Sequence, residues 1–416
     1  MSRRAVLWVA FVLVHLVVAI AGFALPNQPM GDLYFVYEPW SLDALQGRGI
    51  AGIASEWVYP QLALVPMVLA HSLEWIAGYE VAWALMVTGF DALAFGLLVG
   101  RGRSAGRAAA ASFWLAYALL LGPIGMYRID AVTVPLAIAA CLWLAGRPLL
   151  ASVLLAVATW IKVWPAALLA AAFIAVRRRM AIAGGALLVT AVTVWSVIAL
   201  GGATHVLGFV AGQTGRGVQF EAPVAMYHVW RAALGLGDSF LYYDDEFLTV
   251  QVTGPGIDAV IAVMTPLLLL AVAAIAAVGA MKAWRGASFV ALFPPLSLSL
   301  VLALIALNKV GSPQFVTWII APIAFGLVLD RRRWWPIAIA ALGLALLTQL
   351  GYPLLYGELM GARPAAVAVL TVRNLLTVAL FVWAIVRLVR VPRRSRHPLV
   401  TPAPSKPPAP SNPEVP

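Results

Sequence analysis

Residues 1–25, MSRRAVLWVAFVLVHLVVAIAGFAL, decide the class of fold, because two arginines precede a run from 5 to 25 that is apolar apart from His15. About 20 apolar residues in a helix cross the hydrocarbon core of a bilayer. The run lacks a small-residue cleavage site, so we interpret it as a retained transmembrane helix and not as a signal peptide. Since short basic segments stay in the cytoplasm, Arg3 and Arg4 predict a cytoplasmic amino terminus.

The rest of the chain has the same apolar character. Of its 416 residues, 63% are apolar and 11% are charged, and the mean hydropathy is +0.93. About 25% of the residues in an ordinary soluble domain are charged. This composition excludes a cytosolic enzyme, a secreted disulfide scaffold and a disordered protein. The single cysteine, Cys141, excludes a disulfide within the chain. We therefore predict an all-α polytopic membrane protein.

Apolar runs predict a bundle of about twelve transmembrane helices. The predicted spans are 5–25, 81–99, 108–122, 131–146, 148–160, 164–176, 180–200, 257–280, 287–307, 314–329, 334–350 and 365–388. The apolar stretch 148–176 is interrupted at Lys162-Val163-Trp164-Pro165, where proline cannot donate a helical hydrogen bond, and we expect two short helices there. Residues 60–77 are predicted to be re-entrant or interfacial, since a crossing would invert the side of the next basic loop.

The net charge of the chain is +11, and the positions of its basic residues indicate the orientation of the spans in the membrane. Its basic residues cluster in short segments between the spans, which places those segments and both termini in the cytoplasm. A nucleic-acid surface would need a contiguous soluble basic face, so we expect no nucleic-acid partner. On this topology fourteen of the seventeen carboxylates lie outside, mostly in two long loops, about 26–60 and 201–256. Loops of that length are usually functional.

The chain divides into two parts on this interpretation. Residues 1–390 are predicted to form one integral membrane domain that carries both long outer loops. Residues 391–416 are basic and then rich in proline, which predicts a disordered cytoplasmic tail. The sequence has no Walker A loop, no GxGxxG motif and no His/Cys cluster with zinc spacing, so we expect no nucleotide cofactor and no metal ligand set.

Candidate chemistry begins in the first outer loop. Asp32 follows the first span, at the boundary between membrane and outer solution, where a carboxylate against apolar walls can act as a general base. A helix cap or a solvated loop acid is the structural alternative. The segment Glu56-Trp57-Val58-Tyr59-Pro60 again places an acid before aromatic residues. It is equally consistent with an interfacial aromatic anchor and a turn.

Few cations lie on the predicted outer side, and several of them stand at the ends of spans. Cations that converge at the outer surface suit a phosphate group, which they hold by charge-assisted hydrogen bonds. Ion pairs with nearby acids, or snorkelling to lipid headgroups, are the alternatives for each. The candidates for binding a phosphate are Arg128, Lys162, Arg216 and Lys309.

These residues in this order carry a resemblance to a known family. The outer Asp32 and the acid-aromatic-proline segment are followed by Arg128-Ile129-Asp130 and by Lys162 three residues before Pro165. Further along come Arg216-Gly217-Val218-Gln219-Phe220-Glu221, Asn308-Lys309-Val310-Gly311-Ser312-Pro313-Gln314 and Arg373-Asn374. Over about residues 5–390 the chain resembles glycosyltransferase family 87, which comprises polyprenyl-phosphate-mannose-dependent membrane enzymes with the GT-C fold. Ala222 and Gly311 depart from the family pattern, in which we expect a small hydroxyl residue at the first position and, more often than not, an aromatic residue at the second.

The resemblance implies an inverting hexosyltransferase at the outer face of a bacterial-type cytoplasmic membrane. Asp32 would be the general base, and the donor would be a mannose, or a related sugar, on a polyprenyl phosphate. Lys162, Arg128, Lys309 and Arg216 would stabilise the leaving phosphate. The acceptor would be a glycolipid or lipoglycan. Residues expected to bind the sugar or the acceptor, or to line the entry from the lipid, are Glu56, Tyr59, Tyr37, Trp57, Asp130, Glu221 and Gln314.

Other functions remain open from the sequence. A transporter or flippase of lipid-linked envelope precursors would suit twelve spans with Asp91 and Arg373 inside them. Such proteins often consist of two related halves with matching broken helices, and only one broken pair is found here. A membrane scaffold without activity would not need Asp32 or the outer cations. Within the enzyme class, the same chemistry would transfer another sugar, such as arabinofuranose or glucose.

Overall fold

The computed structural model describes residues 2–212, 216–245 and 248–392. Residues 393–416, nearly all of the predicted tail, lie outside this description. The α-helices are α1 Arg3–Ala24, α2 Glu38–Leu45, α3 Leu64–Ala70, α4 Tyr79–Val99, α5 Ala105–Leu121, α6 Asp130–Trp143, α7 Pro148–Ile161, α8 Pro165–Ala175, α9 Arg179–Ala199, α10 Gly208–Ala211, α11 Met226–Ala233, α12 Ile257–Trp284, α13 Phe289–Ala306, α14 Ile320–Leu329, α15 Arg331–Gln349, α16 Tyr356–Met360 and α17 Pro364–Val389.

The described part of the chain is a multi-pass membrane protein built almost entirely of helices. Eight helices are long and apolar enough to cross a bilayer. They coincide with eight of the twelve predicted spans. The other four predictions coincide with shorter apolar helices, at Asp130–Trp143, Pro148–Ile161, Pro165–Ala175 and Pro313–Leu329. Residues 61–73, from the stretch predicted to be re-entrant, also form a short apolar helical segment, in which α3 is flanked by 3₁₀ turns.

The predicted helix break is confirmed at the expected residues. Helix α7 ends at Ile161 and α8 begins at Pro165, so Lys162 lies in a non-helical connection. Proline is tolerated in the first turn of α8 because that turn has no intrahelical acceptor for its missing N–H. The break therefore brings a lysine side chain to the point where two apolar helices meet.

The packing separates a buried centre from a lipid-facing periphery. Helices α13 and α14 are buried along most of their length and belong to one continuous apolar core together with α5, α6 and α8. Helices α9 and α12 lie at the edge and expose large side chains such as Leu188, Trp195 and Leu270. Because exposed apolar area on this scale is unfavourable in water, these faces contact the bilayer.

A small β-sheet interrupts the predicted all-α fold. Strands β1 Val218–Gln219, β2 Phe240–Asp244 and β3 Thr249–Thr253 form an antiparallel sheet in the order β1-β3-β2. The sheet lies within the long loop 201–256. Val218, Val250 and Val252 of the sheet pack in an apolar cluster that also includes Val367 of α17. The strands are too short and too irregular in alternation for the hydrophobic pattern to have predicted them.

Candidate functional site

Asp32 lies after α1 and opens a π-helical turn, Leu33–Tyr37. Its Oδ1 forms an ion pair with Nη1 of Arg128, whose side chain is 9% exposed against 28% for Asp32. The carboxylate therefore faces a cation, and not only the apolar walls expected from the sequence. Arg128 reaches this position because the chain between α5 and α6 returns as a 3₁₀ turn, Gly122–Gly125, that packs against α1.

Tyr37 connects Asp32 to the start of α6. Its hydroxyl donates a hydrogen bond of 3.4 Å to Oδ2 of Asp32 and accepts one of 3.1 Å from the backbone N–H of Ile129. The ring is fully buried, and burial raises the pKa of the hydroxyl well above its usual value. The tyrosine thus stays neutral and keeps its proton for the carboxylate. Asp32 is held from two sides, by Arg128 and by Tyr37.

Tyr352 completes the surroundings of Arg128. Nη2 of Arg128 donates to the Tyr352 hydroxyl at 3.3 Å, and that hydroxyl also lies within 3.3 Å of the carbonyl oxygens of Asn27 and Gln28. The Asn27 side chain in turn donates to the Pro353 carbonyl at 2.6 Å. These bonds tie the loop after α1 to the segment after α15. Nε of Arg128 is buried without a hydrogen-bond partner in the described residues, so one donor remains for a ligand.

Asp130 and Lys162 form a second, deeper ion pair. Oδ2 of Asp130 lies 3.7 Å from Nζ of Lys162, and the two side chains are 1% and 15% exposed. Oδ1 of Asp130 accepts a hydrogen bond of 2.6 Å from Nε1 of Trp318. We call Asp32, Arg128, Asp130 and Lys162 the four-charge cluster. Its two ion pairs meet at Arg128-Ile129-Asp130.

The Lys162 ammonium is enclosed by aromatic rings. Nζ lies 4.4 Å from the centroid of the Tyr59 ring and 5.9 Å from that of Phe315. Burial lowers the pKa of Lys162, the charge of Asp130 raises it, and Arg216 and Arg128 lower it further. Cation–π contacts stabilise the charged form by about 1 kcal/mol each when they are partly desolvated. The arrangement keeps a cation in a largely dry place with one acid beside it.

A second group of predicted residues comes from the loop 201–256 and from the segment after α13. The side-chain oxygen of Gln219 accepts from the Gly311 backbone N–H at 2.9 Å and from the Ser312 hydroxyl at 3.2 Å. The Gln219 backbone N–H donates to the Lys309 carbonyl at 2.9 Å. Lys309 is therefore fixed to the sheet through its own backbone. Its pKa is lowered by burial and by Arg216.

Gly311 allows two segments of the chain to approach closely. A Cβ built at this position would overlap the backbone of Glu221 and Ala222. A larger side chain cannot fit here while the two segments are this close. The glycine thus allows the Lys309–Ser312 segment to lie directly against Glu221.

Glu221 is buried at the junction of the two groups. Arg373 and Asn374 of α17 each donate to its backbone carbonyl at 3.1 Å. Burial raises the pKa of the Glu221 carboxyl to about 7, while the charges of Arg373 and Arg128 lower it. Near neutral pH the group can therefore exist in both protonation states. It also lines a cavity with Thr348 and Tyr352 that has room for about one water molecule.

The remaining sequence-predicted residues are placed differently. Trp57 is buried against Trp40 and Tyr59, with ring centroids 5.4 and 5.7 Å away, so its ring faces are covered. Glu56 is exposed and forms no hydrogen bond or ion pair within the described part of the chain. Gln314 is half-buried, and only its backbone carbonyl is engaged, by Thr317 at 2.8 Å.

The structure thus brings most of the predicted residues together. Asp32, Arg128, Asp130 and Lys162 are joined directly, and Arg216 acts electrostatically on both Lys162 and Lys309. Trp318 and Tyr352 were not predicted as site residues. Each stands in an apolar segment where an aromatic residue is unremarkable, and only the fold shows which charged group it faces.

Two limits on the contents of this region follow from its geometry. The cavity beside Glu221 and a second one beside Arg216 and Gln251 each have room for about one water molecule. Neither of these two cavities has room for a sugar. Within residues 2–212, 216–245 and 248–392, no three His, Cys, Asp or Glu side chains are grouped so as to hold a metal ion.

Comparison of the chain with family models, with curated proteins and with solved structures found no match.

Proposed function

We propose that this protein transfers a hexose, most simply mannose, from a polyprenyl-phosphate donor to a glycolipid acceptor at the outer face of the cytoplasmic membrane. The observation that carries the proposal is the pairing of Asp32 with Arg128 immediately beside the pair of Asp130 with Lys162. A base and several cations next to lipid-facing helices are the groups that transfer from a lipid phosphate requires.

Asp32 serves as the general base in this mechanism. It takes the proton of an acceptor hydroxyl as that oxygen attacks the anomeric carbon, and the bond from that carbon to the phosphate oxygen breaks with inversion. The electron pair leaves on the lipid phosphate. Tyr37 and Arg128 orient the two carboxylate oxygens, so the base does not have to be positioned during the reaction.

The cations stabilise the departing phosphate. The Nε–H of Arg128 is a donor that the described residues do not satisfy, and Lys162, Arg216 and Lys309 add positive charge nearby. The absence of a nucleotide motif agrees with a donor that is already activated on a lipid. Removing one such donor typically slows a reaction by a factor of about 10² to 10³.

Asp32→Asn in reconstituted vesicles tests the proposal. With a radiolabelled polyprenyl-phosphate mannose and total envelope lipids as acceptors, we expect wild-type protein to form a labelled glycolipid and the variant to be slower by about 10³-fold. Asp43→Asn is the matched control, because Asp43 is a half-exposed acid of the same loop whose side chain pairs with Arg48. Turnover by Asp32→Asn at the wild-type rate would remove the proposed base.

A transporter is the second candidate, and one observation favours it. His15 of α1 and Asp91 of α4 form a buried pair inside the bundle, with Nε2 and Oδ2 3.1 Å apart. Titratable groups within spans often belong to substrate or proton pathways. Passage of a fluorescent polyprenyl-phosphate lipid between leaflets, abolished by Asp91→Asn and unaffected by Asp32→Asn, would favour transport over transfer.

A further inference from the structure

Asp130 is an unusual neighbour for a phosphate site. It is an acid placed among the cations that are proposed to hold an anion, and its side chain is 1% exposed. Its Oδ1 is used by Trp318, but Oδ2 is buried without a hydrogen-bond partner in the described residues. The 3.7 Å to Lys162 is longer than a hydrogen bond. A purely structural acid would be expected to have both oxygens satisfied.

The charges around Asp130 define its electrostatic role. Lys162 faces it directly from the break between α7 and α8, and Arg128 lies two residues before it. The charge of Arg216 acts on Lys162. The charge of Asp130 also acts on the hydroxyls of Tyr37 and Tyr59. Asp130 is thus the acid that offsets the positive charge of Lys162 at the place where a phosphate would bind.

Transfer changes the charge of that phosphate. The donor is a phosphodiester with one negative charge, because both ester oxygens are substituted. When the bond from the anomeric carbon to the phosphate oxygen breaks, the product is a phosphomonoester that carries close to two negative charges above its second pKa of about 6. A site made of cations alone would hold the dianionic product more tightly than the monoanionic donor and would release it slowly.

We infer that Asp130 is a charge-selectivity residue, which lets the site bind a lipid phosphodiester monoanion and repel the phosphomonoester dianion formed from it. This inference rests on the proposed function, since it concerns the same phosphate site. Asp130 repels each anionic charge through its unbonded Oδ2 and by offsetting Lys162. Its effect on the product is therefore about twice, in free energy, its effect on the donor.

Binding of two matched probes tests this role without turnover. The probes are farnesyl phosphate, a monoester, and its methyl ester, a diester, added to the full chain in nanodiscs. For Asp130→Asn at pH 8 we expect the affinity for the monoester to rise about tenfold relative to the diester, as a neighbouring like charge typically changes an ionic equilibrium by this factor or more. At pH 5, where both probes carry one charge, the variant should leave the ratio unchanged.

Thr133→Val is the matched control for damage to the same helix end. The Thr133 hydroxyl donates to the Asp130 carbonyl at 2.7 Å and accepts from Nε1 of Trp164 at 2.9 Å, and it is fully buried. Its removal perturbs the packing without changing the charge, so the monoester-to-diester ratio should stay at the wild-type value. A ratio that shifts equally in both variants would assign Asp130 a structural role only.

The wild-type protein provides a second test that does not depend on the folding of a variant. Its affinity for the monoester relative to the diester should stay level or fall between pH 5 and pH 8, and a rise would overturn the inference. Binding of both probes with the same ratio in wild type and Asp130→Asn would overturn the role of Asp130 alone. Failure of both probes to bind would overturn the phosphate site and, with it, the proposed function.

Discussion

Replacing Lys162 with methionine is expected to destabilise the folded protein, because it leaves the Asp130 carboxylate buried without its ion-pair partner. Methionine matches the length of the lysine stem but lacks the ammonium that lies over the Tyr59 and Phe315 rings. At the observed 3.7 Å, an effective dielectric constant of about 20 gives a Coulomb attraction of about 4.5 kcal/mol. The variant no longer has to bury an ammonium group, and this saving offsets part of the lost attraction.

The net cost should be about 3 kcal/mol, at the lower end of what breaking a buried pair costs. Asp130→Asn in the Lys162→Met background removes the stranded charge and keeps the bond from Trp318, so it should recover most of that loss. The measurement is thermal unfolding in nanodiscs, followed by tryptophan fluorescence, for the wild type, both single variants and the double variant. Arg103→Met, at an exposed arginine, is the control for losing one cation and should change stability by less than about 0.5 kcal/mol. Additive effects of the two substitutions would refute the reasoning.

Three other outcomes are expected. Burial raises the pKa of the Glu221 carboxyl to about 7, so the folded state holds a proton that the unfolded chain loses at lower pH. The free energy of unfolding should therefore fall by up to about 3 kcal/mol as the pH rises from 4.5 to 7, and then level off. Unfolding scans of Glu221→Gln should lack that slope, and a slope that persists would contradict the assignment. Gly311→Ala should lower the unfolding temperature by several degrees, because the added methyl group would overlap the backbone of Glu221 and Ala222. Gly184→Ala, at an open position in α9, should be neutral or slightly stabilising. Equal effects of the two substitutions would argue against the close contact at Gly311. With the native cysteine replaced, Ser55→Cys should react with an impermeant maleimide on intact cells and Arg178→Cys only after lysis, and the reverse pattern would invert the proposed topology.

The helical part of the fold could be predicted from the sequence because its determinants are local. Apolar run length fixed where α1, α4 and α12 lie to within a few residues, and a single proline predicted the break before Pro165. The sheet was missed because Val218–Gln219 is only two residues long and is stabilised by partners far along the chain. The twelve-span count and the GT-C fold stay predictions, since four of the spans are short helices.

The charged residues of the candidate site could be named from the sequence, but their pairings and their aromatic neighbours Trp318 and Tyr352 could not. Positive-inside reasoning marked Arg128 and Lys162 as exceptional, because cations there are selected against unless they serve a purpose. No spacing rule, however, shows that Arg128 would pair with Asp32 and leave Lys162 to Asp130. The sequence also did not show that Tyr37 and Trp57, predicted to bind the sugar or to line the entry from the lipid, are buried in the fold.

The clamp that Gln219 makes on the segment Lys309–Ser312 has a mechanical consequence. Lys309 and Gly311 are hydrogen-bonded to Gln219 of β1, two residues before Glu221, whereas Asp32 is paired with Arg128, between α5 and α6. A displacement of the sheet would therefore move Lys309 and Glu221 together, relative to the pair of Asp32 with Arg128.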